Sequence, residues 1–281
     1  MWLARCLTAL LLIVSGGIAL GDDLPFRTVR EFESPDAAQG VAVDADFVYA
    51  ISGRAISKHR KSDGTLVERW QADADRPLVH MNHGVVRDGV LYAAHSNYPG
   101  RPTTSSIEMF DCETLEHIGS HSFGIMEGSL TWIDYHEGRW WGVFAVYSDP
   151  EMSFDADTDT RWTMLVEFDE QWQRRRSWIF PPELIKQWEP ASNSGGGFGP
   201  DGRLYLTGHD AAKLYVVEFP KAGSVMRLAE TIPAPIEGQA FAWDRSRPGM
   251  FYGIQRSSGE VVQALLSDWN LVEATGAEDR Q

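Results

Sequence analysis

Three imidazoles and two carboxylates carry the strongest chemical signal in this chain. His83, His95 and His209, three of its eight histidines, fall at the ends of recurring short strands, and Glu127 and Glu237 stand in matching Glu-Gly pairs. An imidazole titrates near neutral pH, so a histidine beside a carboxylate can move protons in a reaction. The expected catalytic set is His83 and His209 as an acid/base pair, with Glu127 and Glu237 positioning ligand or cation. The same atoms suit a divalent metal, held by imidazole nitrogens and a carboxylate oxygen, that would polarise a carbonyl or activate water. Gln39, His95, Ser129, Asp210 and Gln239 are the expected ligand-binding side chains, and Glu127, Glu237 or Asp210 could orient one of the histidines. Trp162 and Trp188 flank two excursions of the third repeat and offer flat faces for a sugar. The competing structural reading has the histidines capping strand ends and bonding loop backbone.

Other patterns fall short of a site. Asp155, Asp157 and Asp159 alternate as in a calcium loop, but Thr160 stands where glycine is needed and Val166 where the closing glutamate belongs. The run Ser194 to Gly199 has no lysine in phosphate-loop spacing, and close backbone approach explains it better. Cys112 has no histidine expected beside it, which argues against a catalytic thiol. Arg174, Arg175 and Arg176 read as a solvated outer strand.

These residues are positioned by repeats. Five segments share a short small or apolar strand, a turn with aspartate, and an aromatic-rich strand: QGVAVDADFVYAIS, HGVVRDGVLYAAH, SLTWIDYHEGRWWGVF, GGGFGPDGRLYLTGH and QAFAWDRSRPGMFYGIQ. Their turn aspartates are read as Asp44, Asp88, Asp134, Asp201 and Asp244, spaced by 44, 46, 67 and 43 residues. Each pair is followed by two more strands around a polar turn, as in AISKHRKSDGTLVERW and KLYVVEFPKAGSVMRL. Four short antiparallel strands per repeat of this length make a propeller blade. The expected fold is therefore all-β, a five-bladed β-propeller spanning residues 22–281 as one domain. The third repeat is lengthened by an acidic insertion, Ser148 to Arg161, and by a helix-like stretch, Pro182 to Trp188. The segment PFRTVREFES would close the ring beside EVVQALL, with Asn270 to Ala274 as a competing outer strand. The starts of the inner strands and the ends of the second strands should gather around one mouth of the channel.

The stretch from Ile56 to Trp70, with its Lys58, Asp63-Gly64 and Leu66-Val67, resembles secreted propellers with YVTN-type repeats. In size and organisation the chain is also similar to the small five-bladed glutamine-cyclotransferase type. The resemblance implies a propeller fold and export; it brings no family-specific catalytic signature.

Residues 1–21 read as a signal peptide: Arg5, then an apolar run from Leu7 to Val14, then Ala19-Leu20-Gly21. The apolar run is too short to span a bilayer. Its removal predicts a secreted or periplasmic protein without a membrane span, and the loss of Arg5 takes the formal charge from −15 to −16. Such a charge argues against a phosphate backbone as partner. The sequence supports two functions: a monomeric lyase, cyclase or lactone hydrolase acting on a small molecule or carbohydrate, or a non-catalytic propeller that binds a glycan or a protein.

Overall fold

The computed structural model describes residues 25–125, 128–148 and 158–266. Within them the chain forms five four-stranded antiparallel sheets arranged in a ring, a five-bladed β-propeller. After β1 (Phe26–Glu33), blade one is β2 (Gly40–Val43), β3 (Phe47–Ile51), β4 (Ala55–Arg60) and β5 (Leu66–Gln71). Blade two is β6 (His80–Arg87), β7 (Val90–Ser96), β8 (Thr104–Asp111) and β9 (His117–Ile125). Blade three is β10 (Ser129–His136), β11 (Arg139–Ala145), β12 (Met164–Phe168) and β13 (Arg174–Ile179), and α1 (Pro182–Trp188) follows it. Blade four is β14 (Gly195–Phe198), β15 (Leu204–Thr207), β16 (Lys213–Glu218) and β17 (Arg227–Pro233). Blade five is β18 (Ala242–Trp243), β19 (Met250–Gln255) and β20 (Glu260–Leu266), with β1 as its outer strand.

The ring is closed by pairing the first strand with the last. β1 runs antiparallel to β20 from Phe26 opposite Leu266 to Glu33 opposite Glu260. That supplies blade five with the outer strand it would otherwise lack and covers an open edge. The competing segment 270–274 lies outside the described residues, as do the signal-peptide stretch, Glu127, Asp155 and Asp157. Outer strands are charged and half exposed, as in FRTVREFE of β1 and LVERWQ of β5, whereas second strands such as β3 and β15 are almost wholly buried.

The core is divided by the ring. Five clusters of buried apolar side chains each fill one interface between neighbouring blades: Tyr49 and Ile51 meet Met81 and Phe110, and Trp132 and Val143 meet Phe198 and Leu206. Burying such a side chain stabilises by about 1.5–3 kcal/mol, so the apolar faces of the blades hold the ring together. Near the axis there is no room for side chains. A Cβ on Gly195 would lie 2.5 Å from the Ala240 Cα, and one on Gly196 would lie 2.5 Å from the Trp132 ring. The glycine run is therefore a device for close approach.

Polar ties add to the apolar ones. Asp36, 2% exposed, sits in the connector from β1 to β2. It accepts hydrogen bonds from Ser52 Oγ (2.9 Å), Ser57 Oγ (2.6 Å), Arg69 Nε (2.7 Å) and Arg69 Nη2 (3.1 Å). Burial acts to raise its pKa, but the bonds from Arg69, Ser57 and Ser52 outweigh burial and hold it below the ordinary 3.8. A depressed carboxylate pKa contributes stability above the unfolded value, lost as pH falls through the folded one. Asp36→Asn should therefore cost about 2–3 kcal/mol at neutral pH, with the deficit shrinking below about pH 4. Denaturant melts of both proteins across that range check this; a deficit independent of pH would contradict it.

Candidate functional site

The connections from second to third strand and the entries to the inner strands converge on one face, as the repeat pattern requires. The turns joining first to second strands are unequal, with three residues between β2 and β3, two between β6 and β7, two between β10 and β11, five between β14 and β15, and six between β18 and β19. Counting back from the turn aspartates therefore slips between blades. Asp134 is not a turn residue at all: it lies within β10, and the blade-three turn is Glu137-Gly138, both with positive φ. The slip also explains His83, which lies inside β6, in the channel, and not at its rim.

His83 is 2% exposed, and both ring nitrogens are occupied. Nε2 lies 2.9 Å from the Phe241 carbonyl oxygen of blade five, and Nδ1 lies 3.4 Å from the Ile133 backbone N–H of blade three. The carbonyl can only accept and the amide only donate, so the ring is neutral, with its proton on Nε2. Burial pushes its pKa down to about 4 against the opposing pull of Asp134 and the two backbone bonds. Beneath it the channel narrows to a cavity of about 40 Å³ bordered by Asp134, Trp243 and Arg245. That holds a water or two and no substrate. Arg245 Nη2 pairs with Asp134 at 2.9 Å, and the Phe198 N–H donates to the same carboxylate at 2.7 Å.

His95 is buried in a hydrogen-bond chain. Its Nε2 accepts from the Val79 N–H (3.2 Å), and its Nδ1 lies 2.9 Å from Ser106 Oγ, which donates to Glu108 at 2.6 Å. Glu108 in turn meets His117 Nε2 at 2.8 Å and Ser120 Oγ at 3.0 Å. Burial lowers the His95 pKa although Glu108 opposes it. Ser129 is buried against Ser96, their hydroxyls 2.6 Å apart. The backbone of Gln39 joins blade one to blade five by accepting from the Ala240 N–H at 3.0 Å. Trp188 is 3% exposed and packs on Phe180 and over Gly208, whereas Trp162 is 46% exposed.

The expected residues that do come together are His209, Asp210, Glu237 and Gln239. His209 Nδ1 lies 2.7 Å from Asp210 Oδ1, and its Nε2 lies 3.4 Å from Arg256 Nη1. A guanidinium has only donors, so Nε2 presents its lone pair and Nδ1 carries the proton toward Asp210. Glu237 accepts from the Ser257 Oγ (2.5 Å) and N–H (2.8 Å), which hold its carboxyl below the usual range against the repulsion of Asp210. Gln239 Nε2 donates to the His209 carbonyl at 2.8 Å. Across the mouth stands His80, half-buried, its ring centroid 4.9 Å from that of Tyr98, which lies 5.6 Å from Tyr147. Burial, then the charges of His95 and Arg256, push the His80 pKa down to about 4. Arg256, adjacent to the strand-end Gln255, is the member that strand counting does not pick out. His83 and His209 share no partner. Among the described residues no group of three His, Cys, Asp or Glu side chains is placed to hold a metal ion.

No protein-family model matches the chain, and no curated protein matches it. Solved structures do. A luciferin-regenerating enzyme aligns with a TM-score of 0.52 at 10% identity, covering 85% of this chain and 94% of that one. A chain of a mitotic checkpoint complex aligns at 0.48 and 8% identity, covering 93% and 98%. The likeness is one of fold. At such identity the site's chemistry stands on its own residues.

The depressed histidines couple stability to pH. The unfolded chain binds protons near 6.5, while folded His80 and His83 stay neutral to about 4. Stability should therefore fall as pH drops from 6.5 toward 4, with His83 contributing on the order of 3 kcal/mol of the loss. Chemical denaturation should show a shallower decline for His83→Gln than for the unaltered protein; parallel declines would remove His83 from the account.

Proposed function

We propose that the protein is an exported, monomeric acid–base enzyme of lactone-hydrolase, lyase or cyclase type, acting on a small polar molecule or sugar at the mouth. The observation that carries this reading is the orientation of His209 at the exposed mouth: proton toward Asp210, lone pair toward the Arg256 guanidinium. A base and a positive charge side by side suit a substrate that loses a proton, or takes up water, next to an oxygen that gains negative charge. His209 is the base, Asp210 fixes its tautomer, and Arg256 stabilises the developing oxyanion. Glu237, kept ionised by Ser257, accepts from a substrate hydroxyl. The leader-like residues 1–21 and the similarity to secreted YVTN-type and glutamine-cyclotransferase-like propellers support export. Among the described residues, no helix is long and apolar enough to cross a membrane.

A second reading, a binding propeller without catalysis, draws on the self-contained bonding of His83 and His95, which takes two of the three expected histidines out of reach of a ligand. Turnover separates the two. Purified protein assayed on aldonolactones and on uronate oligosaccharides should show hydrolysis or elimination. His209→Gln should lower kcat/KM by about 100-fold or more, and Arg256→Ala by a similar factor, while His83→Gln keeps most activity if folded. No turnover of either class by the unaltered protein would favour the binding module.

A further inference from the structure

A sizeable concavity lies away from the mouth. On the opposite face, between blades three and four, a groove of about 750 Å³ opens, against about 40 Å³ for the channel. That is within the size range of small-ligand sites. Its apolar wall is aromatic. Trp141 and Trp178, only 7% and 8% exposed, stack at 5.8 Å and 27° as a largely buried backing, and Phe219 lies 4.9 Å from Trp178 and 5.5 Å from Trp141. Phe219 is 39% exposed, a large ring displayed in the turn between β16 and β17.

That turn is fixed before any ligand arrives. The Ile179 N–H of blade three donates to the Ser224 carbonyl at 2.8 Å, and the Met226 N–H donates back to Ile179 at 2.9 Å. A blade-four turn is thereby stitched to the outer strand of blade three, and the wall is preorganised. The rim offers both kinds of hydrogen-bonding group. Lys221 is a donor and Glu137, with its side chain 82% exposed, is an acceptor, while Arg176 pairs with Glu167 and lies over the Trp178 ring.

We propose that this groove is a carbohydrate-binding site. The exposed ring of Phe219, backed by the two tryptophans, suits the C–H face of a pyranose, and a rim of mixed sign suits hydroxyls, which both donate and accept. An acyl chain would leave the rim charges unsatisfied. A polyanion would meet a chain of net charge −15 with Glu137 in its path. The groove is remote from His209, so this inference stands apart from the catalytic reading.

The test is titration of the full protein with cello-, xylo-, chito- and malto-hexaose, followed by tryptophan fluorescence, with poly-L-proline as the peptide probe. At least one hexaose should saturate the signal. Phe219→Ser, which also removes packing on Trp141 and Trp178, and Lys221→Ala, at an exposed turn position, should each weaken binding about tenfold in protein shown by circular dichroism to be folded at the assay temperature. His209→Gln should bind as the unaltered protein does. No binding by any hexaose, equal binding by Phe219→Ser, or binding of poly-L-proline in their place would overturn the proposal.

Discussion

Crowding at the axis governs this molecule. Five inner strands meet so closely that Gly195 and Gly196 have no room for a Cβ and only about 40 Å³ stays open below His83. Backbone groups and polar side chains brought into such a space lose water and must find partners within it. His83 meets that demand by tying blade two to blade three through Ile133 and to blade five through Phe241. Asp134 does so lower down, taking the Phe198 N–H and the Arg245 guanidinium. The axis is thus a set of cross-braces. It gives rigidity to the ring and leaves the channel room for little more than a water or two.

The rims have different characters because different loops build them. The mouth is made from inner-strand entries and second-to-third-strand loops, which carry His80, His209, Asp210, Glu237 and Arg256. The far face is made from the first-to-second and third-to-fourth strand turns, and between blades three and four the strand residues Trp141, Trp178 and Phe198 and the turn residue Phe219 line it. One rim is charged; the other is bordered by aromatic side chains, with Phe219 exposed. A ring of rigid blades lets the two vary separately, since neither shares side chains with the other.

The fold was legible because every blade repeats the same alternation of short strands and turns. Closure by residues 26–33 and the helix at Pro182 to Trp188 were legible too, since both break the repeat in recognisable ways. The site was less so. Turns of two to six residues shift the strands relative to their aspartates, which moved His83 from rim to channel and placed Asp134 in a strand. Arg256 stood one residue past the strand end that was counted. Trp188 and Trp141 show a further limit. Sequence alone does not say which rings are covered: Trp188, Trp141 and Trp178 are all buried in the core between blades three and four, while Trp162 is exposed. Glu127 and most of the acidic insertion lie outside the described residues.

The mouth dyad needs explanation in its own right, because an exposed His–Asp pair on a loop has little to hold it. The restraint comes from the neighbouring blade. Gly238 and Gln239 both adopt left-handed backbone, with φ of 64° and 60°. For Gln239 that conformation costs about 1 kcal/mol. It brings the turn so near His209 that a Cβ on Gly238 would lie 2.5 Å from the His209 carbonyl oxygen. Gln239 is then bonded on three sides: its N–H to the Gly208 carbonyl (3.1 Å), its carbonyl to Thr207 Oγ1 (2.5 Å), and its side chain to the His209 carbonyl (2.8 Å). The strained residue therefore clamps the backbone on which His209 and Asp210 ride. Backbone strain persists only where surrounding contacts over-determine it, and here those contacts fix the base to the rigid edge of blade five beside Glu237 and Arg256.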